Sequence, residues 1–155
     1  MRNAYALCLF AGLREGECLG LSWDQVDFER KKLTISQQLQ REKKKNGKYY
    51  IAPTTKNGKV RKIVPPDIAF QYLRAERARQ AENRLLAGEL WNNPHNLVFT
   101  TEIGENLAIS TFYKTFKKIV AEIGRPDARP HDLRHMAQTS RAYRTCWVMP
   151  LPALH

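Results

Sequence analysis

The stretch FAGLREGECLGLSWDQVDF, residues 10–28, decides the fold. It starts where an apolar run ends. Residues 3–12 are apolar nearly all round, which predicts a buried helix, and Gly12 supplies its C-terminal stop. Arg14 then stands in a turn just outside that helix. Beyond it, Leu19, Leu21 and Trp23 bring apolar bulk to a second short helix, and Asp24 and Asp27 are turn or cap residues. A permanent cation at Arg14 either complements a helix end by its charge or offers a fork of donors to an anion.

Downstream, the pattern changes from helix to strand. KLTISQQL (32–39), KYYIAPTT (48–55) and KVRKIVP (59–65) are β-rich, and each Asn-Gly pair, in KNG 45–47 and KNG 56–58, is a strong hairpin signal. A three-stranded antiparallel meander is expected, with Lys56 immediately before the second turn. Pro65 and Pro66 end it and open a helix. Residues 67–90 are rich in helix formers, but their apolar stripe is weak, so that helix is expected on the surface. NLVFTT, 96–101, suits a short strand or an extended link. Ile109, Phe112, Phe116, Ile119, Val120 and Ile123 repeat at helical spacing, with Ser110 as N-cap and Gly124 as C-cap. RPDARP is a linker, and a last helix is expected to start near His131. The fold class is α+β, mostly helical with a small three-stranded antiparallel sheet.

Composition narrows the function. Of 155 residues 43% are hydrophobic, a globular proportion. No run of about 18 apolar residues is present, so no membrane span is expected. Cys8, Cys18 and Cys146 are scattered and form no CxxC pair, which fits reduced thiols in the cytoplasm. The net charge is +11, and it is concentrated. Residues 41–62 hold nine basic side chains, including Lys43, Lys44, Lys45, Lys48, Lys56, Lys59 and Arg61, against the single acid Glu42. A field of that kind favours a polyanion, most simply double-stranded DNA; a solvated basic loop is the plainer use.

PHDLRH, 130–135, admits two chemistries. His131 and His135, one helical turn apart, share a face as zinc-protease ligands do. However, Asp132 is a methylene shorter than the glutamate of that motif, Arg134 sets a fixed positive charge beside the cation, and no third ligand is evident. The second chemistry is an oxyanion site. Arg134 matches phosphate oxygens, and His131, one turn away, donates a hydrogen bond or moves a proton. A phosphodiester transition state needs such pre-placed donors. A structural alternative has His131 capping the helix while Arg134 pairs with Asp127 or Asp132.

In order, GLREGE with LGLSWDQVD, then TKNGKVRKIVP, then HDLRH resemble the catalytic domain of the tyrosine recombinases, the integrase family of phages and transposons. The resemblance covers residues 1–135 as a partial domain and leaves 136–155 as an atypical tail. It implies DNA strand breakage and rejoining through a 3′-phosphotyrosine. Arg14 and Arg134 would hold the non-bridging oxygens of the scissile phosphate. Lys56, with Lys59 as its rival, would protonate the leaving 5′ oxygen. His131 would accept a proton and contact the phosphate. Glu17 would orient Arg14 or its helix, and His135 would support the motif. Lys43, Lys44, Lys45, Lys48, Lys59 and Arg61 would meet the DNA backbone. The family needs no metal or other cofactor, because arginines do the work of a cation.

The match breaks after Arg134. The family's nucleophilic tyrosine follows a Gly-His segment well downstream, whereas Tyr143, nine residues on, comes too early. The nucleophile is therefore unassigned, and a truncated or frameshifted chain that binds DNA without cutting it is expected. Self-association is one way to cover apolar surface so exposed. A non-catalytic DNA-binding accessory protein is the alternative, and a metallohydrolase the weaker one.

Overall fold

The computed structural model describes the backbone of residues 1–44, 47–53 and 60–142, and side chains within those ranges up to residue 136. Helix α1, Arg2–Ala11, buries Ala4, Tyr5, Leu7 and Cys8. Gly12 ends it in the left-handed conformation, φ 68°, and its N–H reaches the Cys8 carbonyl, a geometry that favours glycine. Helix α2, Glu15–Leu19, follows shortly after and buries Glu17, Cys18 and Leu19. The thiols of Cys8 and Cys18 are free and buried, and burial pushes that of Cys18 well up, so both pack as small apolar groups.

The strands are β1 (Val26–Asp27), β2 (Lys32–Ile35), β3 (Gln37–Arg41), β4 (Tyr49–Pro53) and β5 (Arg61–Ile63). All pairs are antiparallel. The three-stranded sheet has the order β1-β2-β5, and β3-β4 is a separate pair. This differs from a simple meander. The first expected strand divides at Ser36: its first half pairs with β5, Leu33 opposite Ile63, and its second half with β4, Leu39 opposite Ile51. Polar ties accompany the division. Gln25 donates to the Ser36 hydroxyl, and Gln37 Nε2 donates to the Gly20 carbonyl at 2.8 Å. Gly20 lies so close to β3 that an added Cβ would stand 2.5 Å from the Leu39 nitrogen. Only a residue without a side chain lets α2 and β3 approach this closely.

Helix α3, Asp67–Ala87, begins after Pro66 at the N-cap position. Its outer face is exposed, as the weak stripe suggests, yet it buries Glu76 and Gln80 beside Ala69, Phe70 and Leu73. Paired polar groups fill part of the inward face, which apolar periodicity does not register. Gln80 donates to the carbonyls of Leu97 and Val98 and accepts from the Trp23 indole. Residues 96–101 form an extended link with isolated bridges, Ser22 to Leu97 and Thr100 to Asn106.

Helix α4, Ile109–Glu122, buries Phe112, Phe116 and Val120. Its N-cap is Ala108, not Ser110, and its C-cap is Ile123, one residue before Gly124, which takes φ 72°. Tyr5 meets both phenylalanines, with ring centroids 4.5 and 5.6 Å apart, and its hydroxyl donates to the Phe112 carbonyl. Helix α5, Pro130–Ala142, closes the described chain and packs against α1.

Candidate active site

Arg14 is the residue before the first turn of α2, in extended conformation. Glu17, three residues on, turns back to it: Oε2 accepts the Arg14 backbone N–H at 3.0 Å, and Oε1 lies 3.3 Å from Nη1. The carboxylate's hold on the backbone N–H before the helix fixes its start. Helix α2 is held from two further sides, by Gln37 of β3 and by Tyr113 of α4, whose hydroxyl donates to Glu15 Oε1 at 3.1 Å. A side chain carried at this point therefore has a rigid support.

A second arginine comes from the sheet. Arg61, the first residue of β5, places Nη2 2.7 Å from Glu17 Oε2. Glu17 is only 2% exposed, whereas the Arg14 and Arg61 side chains are 49% and 37% exposed. Arg61 was expected on the DNA backbone; it faces a buried carboxylate 44 residues away in sequence. Periodicity cannot reveal such a pair.

The third arginine comes from α5. Three contacts aim that helix. Lys117 Nζ donates to the carbonyls of Pro126 and Ala128, pinning the linker to α4. The Arg129 N–H is taken by Asp132 Oδ2 at 2.7 Å, which caps the first turn. Asp127 pairs with Arg125. Both acids that sequence offered to Arg134 are thus engaged elsewhere. Half-buried Arg134 instead feels Arg14, Glu17 and Arg61. Its pKa is lowered, first by burial and then by Arg14, with Glu17 opposing and Arg61 adding to the fall. An arginine so placed remains charged.

Two guanidiniums, from a turn and a strand, thus meet one sealed carboxylate, and a third, from a helix, lies within reach of their charges, leaving two positive charges in excess. Such an excess, half-open to solvent, suits an anion. His131 and His135 lie on one face of α5, with rings edge-to-face and centroids 4.7 Å apart. Among the described residues no group of three His, Cys, Asp or Glu side chains could hold a metal ion. Lys43, Lys44 and Lys48 are exposed around the β3–β4 connection. Lys45, Lys56, Lys59 and Tyr143 lie outside the described residues, as does the tail beyond residue 142.

Comparison with known proteins gives a consistent outcome. Residues 1–142 match the phage integrase family. The chain is 35% identical over 148 residues to a tyrosine recombinase XerC-like protein of Caldanaerobacter subterraneus, covering 90% of this chain and 38% of that one. It is 30% identical over 145 residues to the integrase of Mycobacterium phage FRAT1, covering 91% and 40%. It thus spans well under half the length of these curated relatives. Among solved structures, its fold resembles the Tn1549 transposon integrase in complex with transposon right end DNA, with a TM-score of 0.71, 24% identity, and coverage of 93% of this chain and 46% of that one. It also resembles the XerH site-specific recombinase bound to palindromic difH substrate, with a TM-score of 0.62, 22% identity, and coverage of 93% and 35%.

Proposed function

The chain belongs to the phage integrase family, and from that premise we propose that it carries the phosphate-gripping part of a tyrosine recombinase active site, serving site-specific DNA recombination and the integration of a mobile element. The observation that carries this reading is the pairing of Arg14 and Arg61 with buried Glu17, with Arg134 within reach of their charges. Arg14 and Arg134 hold the non-bridging oxygens of one phosphodiester, where negative charge grows in the transition state. His131 contacts the same phosphate and exchanges its proton. Lys56, on the segment leading into β5, protonates the leaving 5′ oxygen. Lys43, Lys44, Lys45, Lys48 and Lys59 meet the backbone of the duplex on either side, which supplies affinity without sequence preference. No residue here is assigned as nucleophile. On this reading the residues named here hold DNA without themselves becoming covalently attached to it.

A cytoplasmic site of action belongs to this reading, because DNA is its partner. Among the described residues no helix is long and apolar enough to cross a membrane. Self-association belongs to the same reading. Leu85 and Leu86 near the end of α3, and Leu90 just beyond it, are 84, 87 and 73% exposed, apolar surface that a second copy would cover.

The test is covalent capture. A labelled duplex with a nick or a bridging phosphorothiolate is mixed with protein at several salt concentrations and run on native and denaturing gels. Salt-sensitive binding without a denaturant-stable adduct is expected. An adduct would assign a nucleophile and overturn the cleavage-deficient part. No binding at low salt would overturn the whole reading.

A further inference from the structure

Glu17 poses a conflict. It is a carboxylate sealed from water beside a cluster suited to binding an anion, and a negative charge there opposes the ligand. The geometry shows how the conflict is relieved. Oε2 takes Arg61 Nη2 at 2.7 Å, while the Arg14 guanidinium stands off at 3.3 Å from Oε1. Arg61 opens β5, where its backbone is fixed opposite Ile35 of β2. Its position is therefore set by the sheet and does not depend on a ligand.

Resting on the function proposed above, we propose that Arg61 is a positioning residue: it neutralises Glu17, so that Arg14 and Arg134 keep their charge for the phosphate, and it ties the sheet to α2. Three features support this role over a direct contact with DNA. The Arg61–Glu17 distance is the shortest ion pair in the cluster. Glu17 is buried and already committed to the Arg14 N–H, so its orientation is fixed. Arg61 also lies five residues after Lys56 in the chain, so the same ion pair anchors the strand into which the general-acid segment runs.

The consequence is an indirect effect on binding. Without Arg61 the excess positive charge halves, and the freed carboxylate draws Arg14 inward. A double-mutant cycle separates this from direct contact. Affinity for a short labelled duplex is measured against salt for the full chain and for R61Q, R61K, E17Q and R61Q/E17Q, with the thermal melt of each. R61Q is expected to weaken binding about tenfold with an unchanged salt slope. R61K should recover part of the loss, since it keeps the charge and loses the fork. R61Q/E17Q should recover most of it, since a glutamine there still accepts the Arg14 N–H but carries no charge.

An R61Q loss of the same size in the E17Q background as in the wild-type background, together with a salt slope smaller by about 1, would show a direct phosphate contact and overturn the inference. Should E17Q fail to fold, the slopes of R61Q and R61K decide alone: an unchanged slope supports indirect action and a reduced one overturns it. A wild-type chain without salt-sensitive binding, or an R134Q variant that binds as wild type does, would instead overturn the proposed function itself.

Discussion

Two buried glutamates, each paired with an arginine three residues away, have opposite characters. Glu76 on α3 is 1% exposed and Glu17 on α2 is 2% exposed. Glu76 accepts from Asn3 of α1 at 2.7 Å and from Arg79 at 2.9 Å, and Arg79 passes on to the Thr100 carbonyl at 3.1 Å. One carboxylate thus meets one cation, and the pair joins two helices to the 96–101 link. Glu17 meets two cations and lies near a third. The side chains of the first cluster balance in charge and serve packing, and the Met1 ammonium that also feels them has its pKa lowered, first by burial. The second is left with unspent positive charge, which is the mark of a site waiting for an anion. Burial of an acid does not separate structure from function here; the charge balance around it does.

The largest effect that would break this contrast is on stability. Glu76→Ala leaves Arg79 and Asn3 without their acceptor, and it should cost about 3 kcal/mol in urea unfolding while leaving DNA affinity per folded molecule unchanged. A variant that lost binding without losing stability would give Glu76 a role in the site. Next, Arg134→Gln should lower duplex affinity about thirtyfold with little change in melting temperature, read by fluorescence anisotropy at fixed salt. Arg14→Gln should act in the same direction but more weakly, about tenfold, because its side chain is half-exposed.

The smallest effect concerns Asp27, the less exposed member of a third pair of this spacing, with Arg30. The Arg30 backbone N–H holds its carboxyl below the ordinary 3.8. Its folded pKa is therefore depressed: the contribution is present above the ordinary value and is lost as pH falls through the lower, folded one. Asp27→Asn should therefore melt slightly lower than wild type at neutral pH, and the difference should vanish as pH falls through the folded value. A deficit that persists undiminished at the acid end of the mutant's pH–melting profile would contradict this.

Much of this was legible in the sequence, for local reasons. Gly12 ends α1 because the helix stop needs a left-handed residue, and Phe112, Phe116 and Val120 face inward because their spacing follows the helix. The start of α5 followed from Pro130. What sequence could not show was set by pairs distant along the chain. The break at Ser36 arises because two different strands claim the halves of one β-run. Glu76 is buried because Asn3, 73 residues away, meets it. Arg61 looked like one more cation in a basic segment, and only the fold brings Glu17 to it. In the candidate site, the motif residues Arg14, Glu17 and Arg134 could be named in advance, but not their charge balance.

The central claim is that Arg14 and Arg134 together grip one DNA phosphate. The salt dependence of duplex binding tests it most directly, comparing wild type with the Arg14→Gln, Arg134→Gln double variant. The account predicts that the slope of log affinity against log salt falls in magnitude by about 1, the share of a single phosphate, in a variant that melts as wild type does. An unchanged slope in a folded double variant would contradict it, and would place the grip on DNA elsewhere in the molecule.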